Sequence, residues 1–428
     1  MERKITEYLI KWKKDLVRKP LMIYGNKQVG KTYSVIKFGE SEYKNIAYFN
    51  TENNNELMDV LKKEKTVDRL VPKLSLLANE TILVKDTLII FDNVNDIEVI
   101  NMAKAFSKAE EDYHIILISS SKENLLSFKC EEITFKKMNG MDFEEYLKAV
   151  GNVQLIDFIK TSFKNNKAMP FHNIAMDHYD DYLITGSLPE AILTSINDKD
   201  SKVIKSVYDK VIDGYKKEML SLESMIDIPR ANEVLNSVPY QVSKANKKFQ
   251  YGLIKEGSRS KNYEKALSHL HNNGVLSKCF KITELKSPLS SARDKDSFKA
   301  YLNDTGILYN MMHLNKNKFL MDINIKNIIY ENSIAINLSD AGFNLYYYQS
   351  EGKAELSFIV QNRNGKTIPI ELVDRNLSKA KSLGLFMSKF DVKEAIRITD
   401  DNFSLKKNIK YVPIYALFCL GDYLQEAK

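Results

Sequence analysis

Eight residues near the start of the chain have the types and the spacing of a phosphate-binding loop. They read Gly-Asn-Lys-Gln-Val-Gly-Lys-Thr from Gly25 to Thr32. Two glycines let the backbone curl so that its N–H groups point inward at an anion. We expect Lys31 to reach the terminal phosphates of a nucleotide and the Thr32 hydroxyl to hold a magnesium ion. The residues predicted to bind the nucleotide are Gly25, Asn26, Lys27, Gln28, Val29, Gly30, Lys31 and Thr32.

The segments that flank this loop are those that must position it. The apolar run Leu21–Tyr24 predicts a buried strand before the loop, and Tyr33–Phe38 predicts a helix after it. Such a helix would add the positive end of its dipole to the anion site. A chance match in a turn that contains glycine and lysine is the alternative, which the flanking strand and helix disfavour.

A second apolar run, Thr87–Asp92, ends in a carboxylate. In NTPases with a phosphate-binding loop, such an aspartate binds magnesium, directly or through water. A buried strand that happens to end at an acidic loop would show the same pattern. The next residue is Asn93, where many hydrolases of this class have a glutamate that polarises the attacking water. Because an amide can hold a water but cannot accept its proton, we expect the nucleotide to bind better than it is hydrolysed.

Ser119 and Ser120 end the next predicted strand and are candidates for contacting the terminal phosphate or its attacking water. Serines that merely end a strand would fit equally well. The residues to which we assign catalytic roles are Lys31, Asp92, Asn93 and Ser120, and the predicted magnesium ligands are Thr32 and Asp92.

Short apolar runs alternate with amphipathic stretches over the first third of the chain. This alternation predicts an α/β fold with a parallel sheet and helices on both faces. The predicted strands are Leu21–Tyr24, Asn45–Phe49, Leu88–Phe91, Ile115–Ser119 and Glu132–Phe135. The helices predicted between them include Glu56–Lys63 and Glu98–Ala109.

The remaining two thirds are predicted to be mostly helical at first and then to return to strands. The predicted C-terminal strands are Leu345–Gln349, Glu355–Gln361, Thr367–Val373, Ala395–Ile398 and Val412–Phe418, with a helix at Lys379–Phe390. This tail is therefore expected to form a second α/β unit.

Length and composition set the broad class. A chain of 428 residues predicts two or three domains. The net charge of +7 would suit a polyanionic partner without demonstrating one. Three widely separated cysteines suggest neither a disulfide framework nor a zinc site, which favours a reducing compartment. The sequence shows no signal core and no apolar run of membrane-spanning length, so we expect a cytoplasmic protein without a membrane partner.

These motifs together resemble the AAA-type ATPases of bacteria and archaea (AAA_14) that carry a C-terminal domain called DUF4143. The resemblance extends over nearly the whole chain, in the same order. Beyond the loop and the Asp92 strand, it depends on the segments Met138–Leu147, Tyr182–Glu190, Ser237–Val242, Phe298–Gly306 and Ile368–Glu371.

The resemblance implies a P-loop ATPase core, a helical lid, a winged-helix-like module and a C-terminal α/β domain related to restriction endonucleases. The corresponding ranges are 1–150, 151–225, 226–285 and 286–428. In related ATPases, a proline at the position of Pro189 lies in the lid and packs near the adenine. A proline that simply begins a helix is the alternative, and both descriptions are compatible.

The implied winged-helix module contains a basic stretch from 244 to 261, interleaved with aromatic residues. A helix from this stretch could enter a major groove while its lysines meet phosphates. Basic residues on a helix more often form a solvated face, and that reading stays open. The resemblance also suggests a nucleotide-sensing role for Arg259, in the context Gly257-Ser258-Arg259.

The implied C-terminal domain would need a cluster of carboxylates and a lysine to act as a nuclease. Glu331 and Glu371 fit two of the carboxylate positions, but Ser357 stands where an aspartate is needed and Val373 where the lysine is needed. Arg375 is predicted on the same strand face as Glu371, and an arginine is a poor base. We therefore interpret this site as inactive, with Glu331 and Glu371 as remnants.

The sequence thus predicts an ATP-binding AAA-type ATPase with slow hydrolysis that acts as a nucleotide-dependent regulatory switch, with ATP and Mg²⁺ as cofactors. The alternatives are a nucleic-acid-binding protein gated by nucleotide, with DNA meeting residues 244–261, and a metal-dependent nuclease. A protein-interaction scaffold built on the C-terminal sheet also remains open, and the sequence does not identify a protein partner.

Overall fold

The computed structural model describes residues 1–120, 130–198, 201–219, 227–350, 355–373 and 380–427. The chain divides into two compact units. The first unit comprises Met1–Gly140 and the short segment Asn272–Gly274, and the second comprises Met141–His271 and Val275–Lys428. Within the part of the chain that is described, no helix combines the length and the apolar composition needed to cross a bilayer.

The first unit is a five-stranded parallel sheet with helices between its strands. Its strands are β1 (Leu21–Tyr24), β2 (Asn45–Asn50), β3 (Thr87–Asp92), β4 (His114–Ser119) and β5 (Thr134–Lys137). Its helices are α1 (Lys4–Lys14), α2 (Lys31–Glu42), α3 (Asn55–Lys63), α4 (Val67–Ala78) and α5 (Ile97–Ser107). The strand order is β2-β3-β4-β1-β5, and each neighbouring pair is parallel. The parallel sheet and the first four predicted strands are confirmed, and the fifth, predicted at Glu132–Phe135, lies two residues later at Thr134–Lys137.

The two central strands explain why this sheet could be recognised from the sequence. Every residue of β3 and β4 is buried. Parallel strands that are covered on both faces show continuous apolar runs rather than alternation. Because all strands are parallel, their carboxyl ends meet at one edge of the sheet, and residues at that edge come together from distant parts of the chain.

The second unit begins with helices and continues into a mixed sheet. The helices that follow β5 are α6 (Phe143–Ala149), α7 (Val153–Asn165), α8 (His172–Thr185), α9 (Pro189–Asn197), α10 (Ser201–Met219), α11 (Asp227–Ser243), α12 (Ser260–Asn272), α13 (Thr305–Met311), α14 (Lys316–Met321), α15 (Ile323–Asp340), α16 (Ala380–Phe390) and α17 (Leu420–Glu426). The strands are β6 (Leu276–Ile282), β7 (Arg293–Leu302), β8 (Leu345–Gln349), β9 (Glu355–Gln361), β10 (Thr367–Leu372), β11 (Ala395–Thr399), β12 (Ser404–Lys406) and β13 (Ile409–Pro413).

These eight strands form one sheet in the order β12-β13-β11-β10-β9-β8-β6-β7. Strands β6 and β7 pair antiparallel, and β6 also pairs parallel with β8. The winged-helix-like range and the C-terminal range predicted from the sequence therefore contribute strands to the same sheet, and the boundary predicted after residue 285 falls between two strands that pair with each other. The division into four parts stays a prediction.

The strand predicted at Val412–Phe418 is wrong in its position. The chain forms β13 at Ile409–Pro413 and then a 3₁₀ helix at Ile414–Cys419. Pro413 ends the strand, since proline has no N–H to continue a ladder. The following residues Ile414, Tyr415, Ala416 and Leu417 are all buried. A short continuous apolar run of this kind does not distinguish a strand from a buried helical turn.

Candidate functional site

The predicted phosphate-binding loop connects the end of β1 to the start of α2. Gly30 is the N-cap of α2 and has a positive φ of 91°. Gly25 has a φ of 156°, and a Cβ placed there would lie 2.0 Å from the carbonyl oxygen of Met138. Both glycines are thus needed, one for a left-handed turn and one for close backbone approach. The loop has the curled path that the sequence predicts, with α2 following directly.

Lys31 is buried and folds back over its own loop. Its Nζ donates hydrogen bonds to the carbonyl oxygens of Gly25, at 2.8 Å, and Asn26, at 2.7 Å. These contacts hold the ammonium group at the loop that is predicted to receive phosphate. Phosphate oxygens are strong acceptors for an ammonium donor, and the contact of Lys31 with a bound phosphate stays a prediction.

Arg3, just before α1, contacts the same loop from outside. Its guanidinium donates to the carbonyl of Val29 at 2.6 Å and to that of Asn139 at 2.8 Å, and the side chain is buried. The planar guanidinium suits two simultaneous donations of this kind. Arg3 therefore positions the loop, although the sequence analysis did not identify it.

Thr32 and Asp92 meet at the carboxyl edge of the sheet. The Thr32 hydroxyl donates to Asp92 Oδ2 at 2.7 Å. The phenol of Tyr48, on β2, donates to the same oxygen at 3.0 Å. Burial and the nearby Asp92 carboxylate raise the pKa of Tyr48 to about 12, so the phenol stays protonated and remains a donor. Tyr48 is a second site residue that the sequence analysis missed.

A threonine hydroxyl and an aspartate carboxylate are hard oxygen ligands of the kind that magnesium takes. The described residues include no group of three or more His, Cys, Asp or Glu side chains that could enclose a metal ion. Magnesium usually keeps several waters and completes its shell with substrate phosphates. The pair Thr32 and Asp92 therefore fits a magnesium ion bound together with a nucleotide.

Asn93 has a left-handed backbone, with φ at 59°. Asparagine tolerates this region better than most residues with a side chain. Its Nδ2 donates to Asn50 Oδ1 at 3.1 Å, and its carbonyl accepts from the Thr51 hydroxyl at 2.8 Å. The left-handed backbone at this position therefore favours asparagine, independently of the predicted role of its side chain beside the attacking water.

The remaining predicted site residues lie in two different units. Ser119 is the last residue of β4, and Ser120 follows it at the same sheet edge as the loop and Asp92. Pro189 belongs to the second unit, where it is the first residue of α9. Its role in beginning a helix is therefore seen directly, and its contact with a nucleotide base stays a prediction.

A separate cluster in the second unit gathers the residues of the predicted nuclease-like site. A pocket of about 550 Å³ is lined by Glu331 of α15, Ser357 of β9, Glu371 of β10 and Val373. Glu355, which the sequence analysis did not assign, lines the same pocket. Arg375 lies outside the described residues.

Each carboxylate of this cluster is paired with a cationic side chain. Glu331 accepts from Lys247 and from the Tyr301 hydroxyl, the latter at 2.5 Å. Lys299, buried beneath, donates to Glu355 at 2.5 Å and to Glu331 at 3.4 Å. Burial alone would raise the pKa of Glu331, but Lys247 and Lys299 hold it well below its ordinary value.

Arg397 donates from Nε to Glu371 at 2.8 Å. Burial raises the pKa of Glu371, although Arg397 opposes the shift. The described carboxylates are thus paired with ammonium and guanidinium groups, and the interpretation that this site is inactive stays a prediction.

The basic stretch from 244 to 261 is only partly a surface feature. Phe249, within the stretch, and Tyr263, just after it, are buried in the core rather than exposed for stacking. Lys247 is held by the buried Glu331. The exposed basic residues of the stretch are Lys255, Arg259 and Lys261.

A comparison with known protein families finds a match for the first unit. Residues 17–147 match the family described as an AAA domain. This segment, with its parallel sheet and its loop between β1 and α2, is an AAA-type domain of the P-loop class. Residues 176–318 match a different family, described as a domain of unknown function, DUF8612. The DUF4143 domain that the sequence resemblance implied is not found. No curated protein matches the chain.

Solved structures show distant similarity. The Walker-type ATPase PABY2304 of Pyrococcus abyssi is similar with a TM-score of 0.44 and 12% identity, over 73% of this chain and 95% of that one. The STAND protein PH0952 of Pyrococcus horikoshii, which has a tetratricopeptide repeat sensor, gives a TM-score of 0.30 at 13% identity, over 79% and 45% of the two chains. The ORC1 protein of Aeropyrum pernix, solved in complex with DNA, gives a TM-score of 0.31 at 12% identity, over 77% of this chain and 91% of that one.

Proposed function

We propose that the first unit binds ATP with magnesium and hydrolyses it slowly, so that the bound nucleotide acts as a regulatory signal. The observation that carries the proposal is the joint placement of the curled loop, the Lys31 ammonium and the Thr32–Asp92 pair at one sheet edge. Each of these groups has a distinct task toward a triphosphate.

The loop N–H groups and the N-terminus of α2 would cradle phosphate oxygens. Lys31 would leave its backbone acceptors and bind the β- and γ-phosphates. Thr32 and Asp92 would hold magnesium, which when bound neutralises charge between these phosphates. Ser120, which follows β4 at the same edge of the sheet, would contact the terminal phosphate or the water that attacks it.

Slow turnover follows from the residue after Asp92. The Asn93 amide is fixed by Asn50 and can orient a water, but it cannot take the proton that the water must lose. A site that binds well and lacks this base would hold ATP for long periods, as a switch requires.

A nucleotide titration with parallel measurement of phosphate release tests the proposal. The unaltered protein should bind ATP in a magnesium-dependent manner and release phosphate slowly. Lys31→Ala should abolish binding, whereas Lys27→Ala, which removes a neighbouring lysine of the same loop, should weaken it less. Unchanged binding by the Lys31→Ala protein would refute the site.

Nucleic-acid binding gated by nucleotide is a second candidate, favoured by the exposed Lys255, Arg259 and Lys261. Binding to DNA at two salt concentrations would detect a phosphate interface, because such an interface weakens steeply with salt. Charge reversal at Lys255 and Lys261 should flatten that dependence. These positions are preferable to Lys247, whose replacement would leave Glu331 buried without one of its partners.

A further inference from the structure

In the pocket of about 550 Å³ in the second unit, the described carboxylates are already paired, whereas Lys244 has no ion pair and Asn327 Nδ2 has no hydrogen bond among the described residues. Its three described carboxylates belong to Glu331, Glu355 and Glu371, and each already accepts from a lysine or arginine. A ligand that offered only donors or a positive charge would therefore compete with ion pairs that are already made.

The donors of the pocket are less completely satisfied. Lys244 lies 4.1 Å from the ring centroid of Tyr240 and makes no ion pair with any described residue. Lys247 gives one of its three N–H groups to Glu331. Asn327 also lines the pocket, and its buried Nδ2 has no hydrogen-bond partner among the residues described. A buried donor without an acceptor costs stability, and a ligand acceptor would remove that cost.

The ion pairs also leave one lining cation over. Among the described residues, Lys244, Lys247 and Arg397 line the pocket with the three carboxylates, and Lys299 lies buried beneath Glu355. Lys244, which follows the end of α11, is the lining cation that makes no ion pair with these residues. Two ammonium groups and an amide offer more donors than the two oxygens of a carboxylate accept, whereas a phosphate monoester presents three terminal oxygens.

The volume of the pocket also suits a small organic molecule. Pockets of roughly 300–1,000 Å³ are typical of small-molecule sites. Apolar walls from Ile328 and Leu372 and the side chain of Tyr411 leave room for an organic body beyond the anion. We propose that this pocket binds a small organic phosphate, with Lys244, Lys247 and Asn327 contacting the phosphate group.

The test uses the full chain carrying Lys31→Ala, so that the phosphate-binding loop of the first unit does not contribute. Calorimetric titration with ribose 5-phosphate should show saturable binding. Lys244→Ala should weaken it roughly 10- to 100-fold, since a charge-assisted hydrogen bond is lost. Asn327→Leu should also weaken it, while Lys255→Ala, an exposed lysine that does not line the pocket, should leave it unchanged.

The proposal would be overturned by the absence of ribose 5-phosphate binding, by binding that survives Lys244→Ala, or by binding of a single-stranded oligonucleotide alone. Inorganic phosphate should bind more weakly than the sugar phosphate, and equal affinity would refute the assigned ligand size. None of these results depends on whether the first unit hydrolyses ATP.

Discussion

The Tyr48 phenol donates a hydrogen bond of 3.0 Å to Oδ2 of Asp92, the oxygen that also accepts from Thr32 at 2.7 Å. The other carboxylate oxygen accepts from the backbone N–H of Asn93 at 2.8 Å. The predicted magnesium ligand therefore already accepts hydrogen bonds at both of its oxygens. A cation, or the water bound to it, would compete with these donors for the carboxylate.

Removing the Tyr48 hydroxyl should make magnesium-dependent ATP binding tighter. One competing donor is lost, worth about 0.5–1.5 kcal/mol, so Tyr48→Phe should raise affinity for magnesium–ATP roughly 2- to 10-fold. Affinity for ATP in the presence of a chelator should not change. Tyr33→Phe is the matched control, because Tyr33 is an exposed tyrosine at the start of α2. Weaker binding in Tyr48→Phe would show instead that the phenol positions Asp92 for the metal.

Placing a carboxylate after Asp92 should increase turnover and reduce stability. Asn93→Glu supplies a proton acceptor, and we expect phosphate release to rise about tenfold or more. The left-handed backbone at this position should cost the glutamate roughly 1 kcal/mol of unfolding free energy. Phosphate release and urea unfolding measure the two effects.

Asn93→Gly separates these two effects. Glycine accepts the positive φ but offers no side chain to the water. This variant should keep the stability of the protein without a gain in rate. An unchanged rate in Asn93→Glu, with ATP still bound, would mean that another catalytic group is missing.

Adding a methyl group at Gly25 should destroy the loop. The new Cβ would lie 2.0 Å from the carbonyl oxygen of Met138, and this oxygen belongs to the backbone and cannot easily move away. Gly25→Ala should therefore reorient the loop N–H groups and lower ATP affinity about 100-fold or more, as the loss of two charge-assisted hydrogen bonds would. Gly214→Ala, where a Cβ meets nothing within 4 Å, should bind ATP normally. Normal ATP affinity in Gly25→Ala would contradict the observed loop.

The phosphate-binding loop and the strands around it could be predicted because their signals are local. The glycine spacing, Lys31 and Thr32 are contiguous, and fully buried parallel strands such as β3 show as apolar runs. Asp92 could be placed because it ends one of those runs. Each of these features depends on a few neighbouring residues rather than on the arrangement of the whole unit.

Arg3 and Tyr48 could not be predicted, because their roles depend on tertiary arrangement. Arg3 reaches Val29 and Asn139 across 26 and 136 positions. Tyr48 meets Asp92 only because β2 lies beside β3 in the sheet. In the second unit, the ion pairs of Glu331 join α15 to residues at 247 and 299, a combination that no local pattern indicates.

Acid should lower the folding stability of the first unit through His114. This side chain lies among Trp12, Arg18, Tyr43 and Asp112, and its Nδ1 is 2.7 Å from the Tyr43 hydroxyl. Burial and then the positive charge of Arg18 lower the pKa of His114 from 6.5 to about 4. Between these values the unfolded chain binds a proton that the folded chain excludes. The stabilising contribution is therefore present above pH 6.5 and is lost as the pH falls toward 4.

His114→Gln removes this titration while keeping a polar side chain. The variant should lose less unfolding free energy than the unaltered protein between pH 7.5 and pH 5, because glutamine has no proton to gain. Trp12 is the chain's single tryptophan, and its ring lies 6.0 Å from that of His114. Its fluorescence in urea therefore reports the first unit, and other acid-sensitive groups contribute equally to both proteins. Equal losses in the two proteins would mean that His114 is not kept neutral by its surroundings.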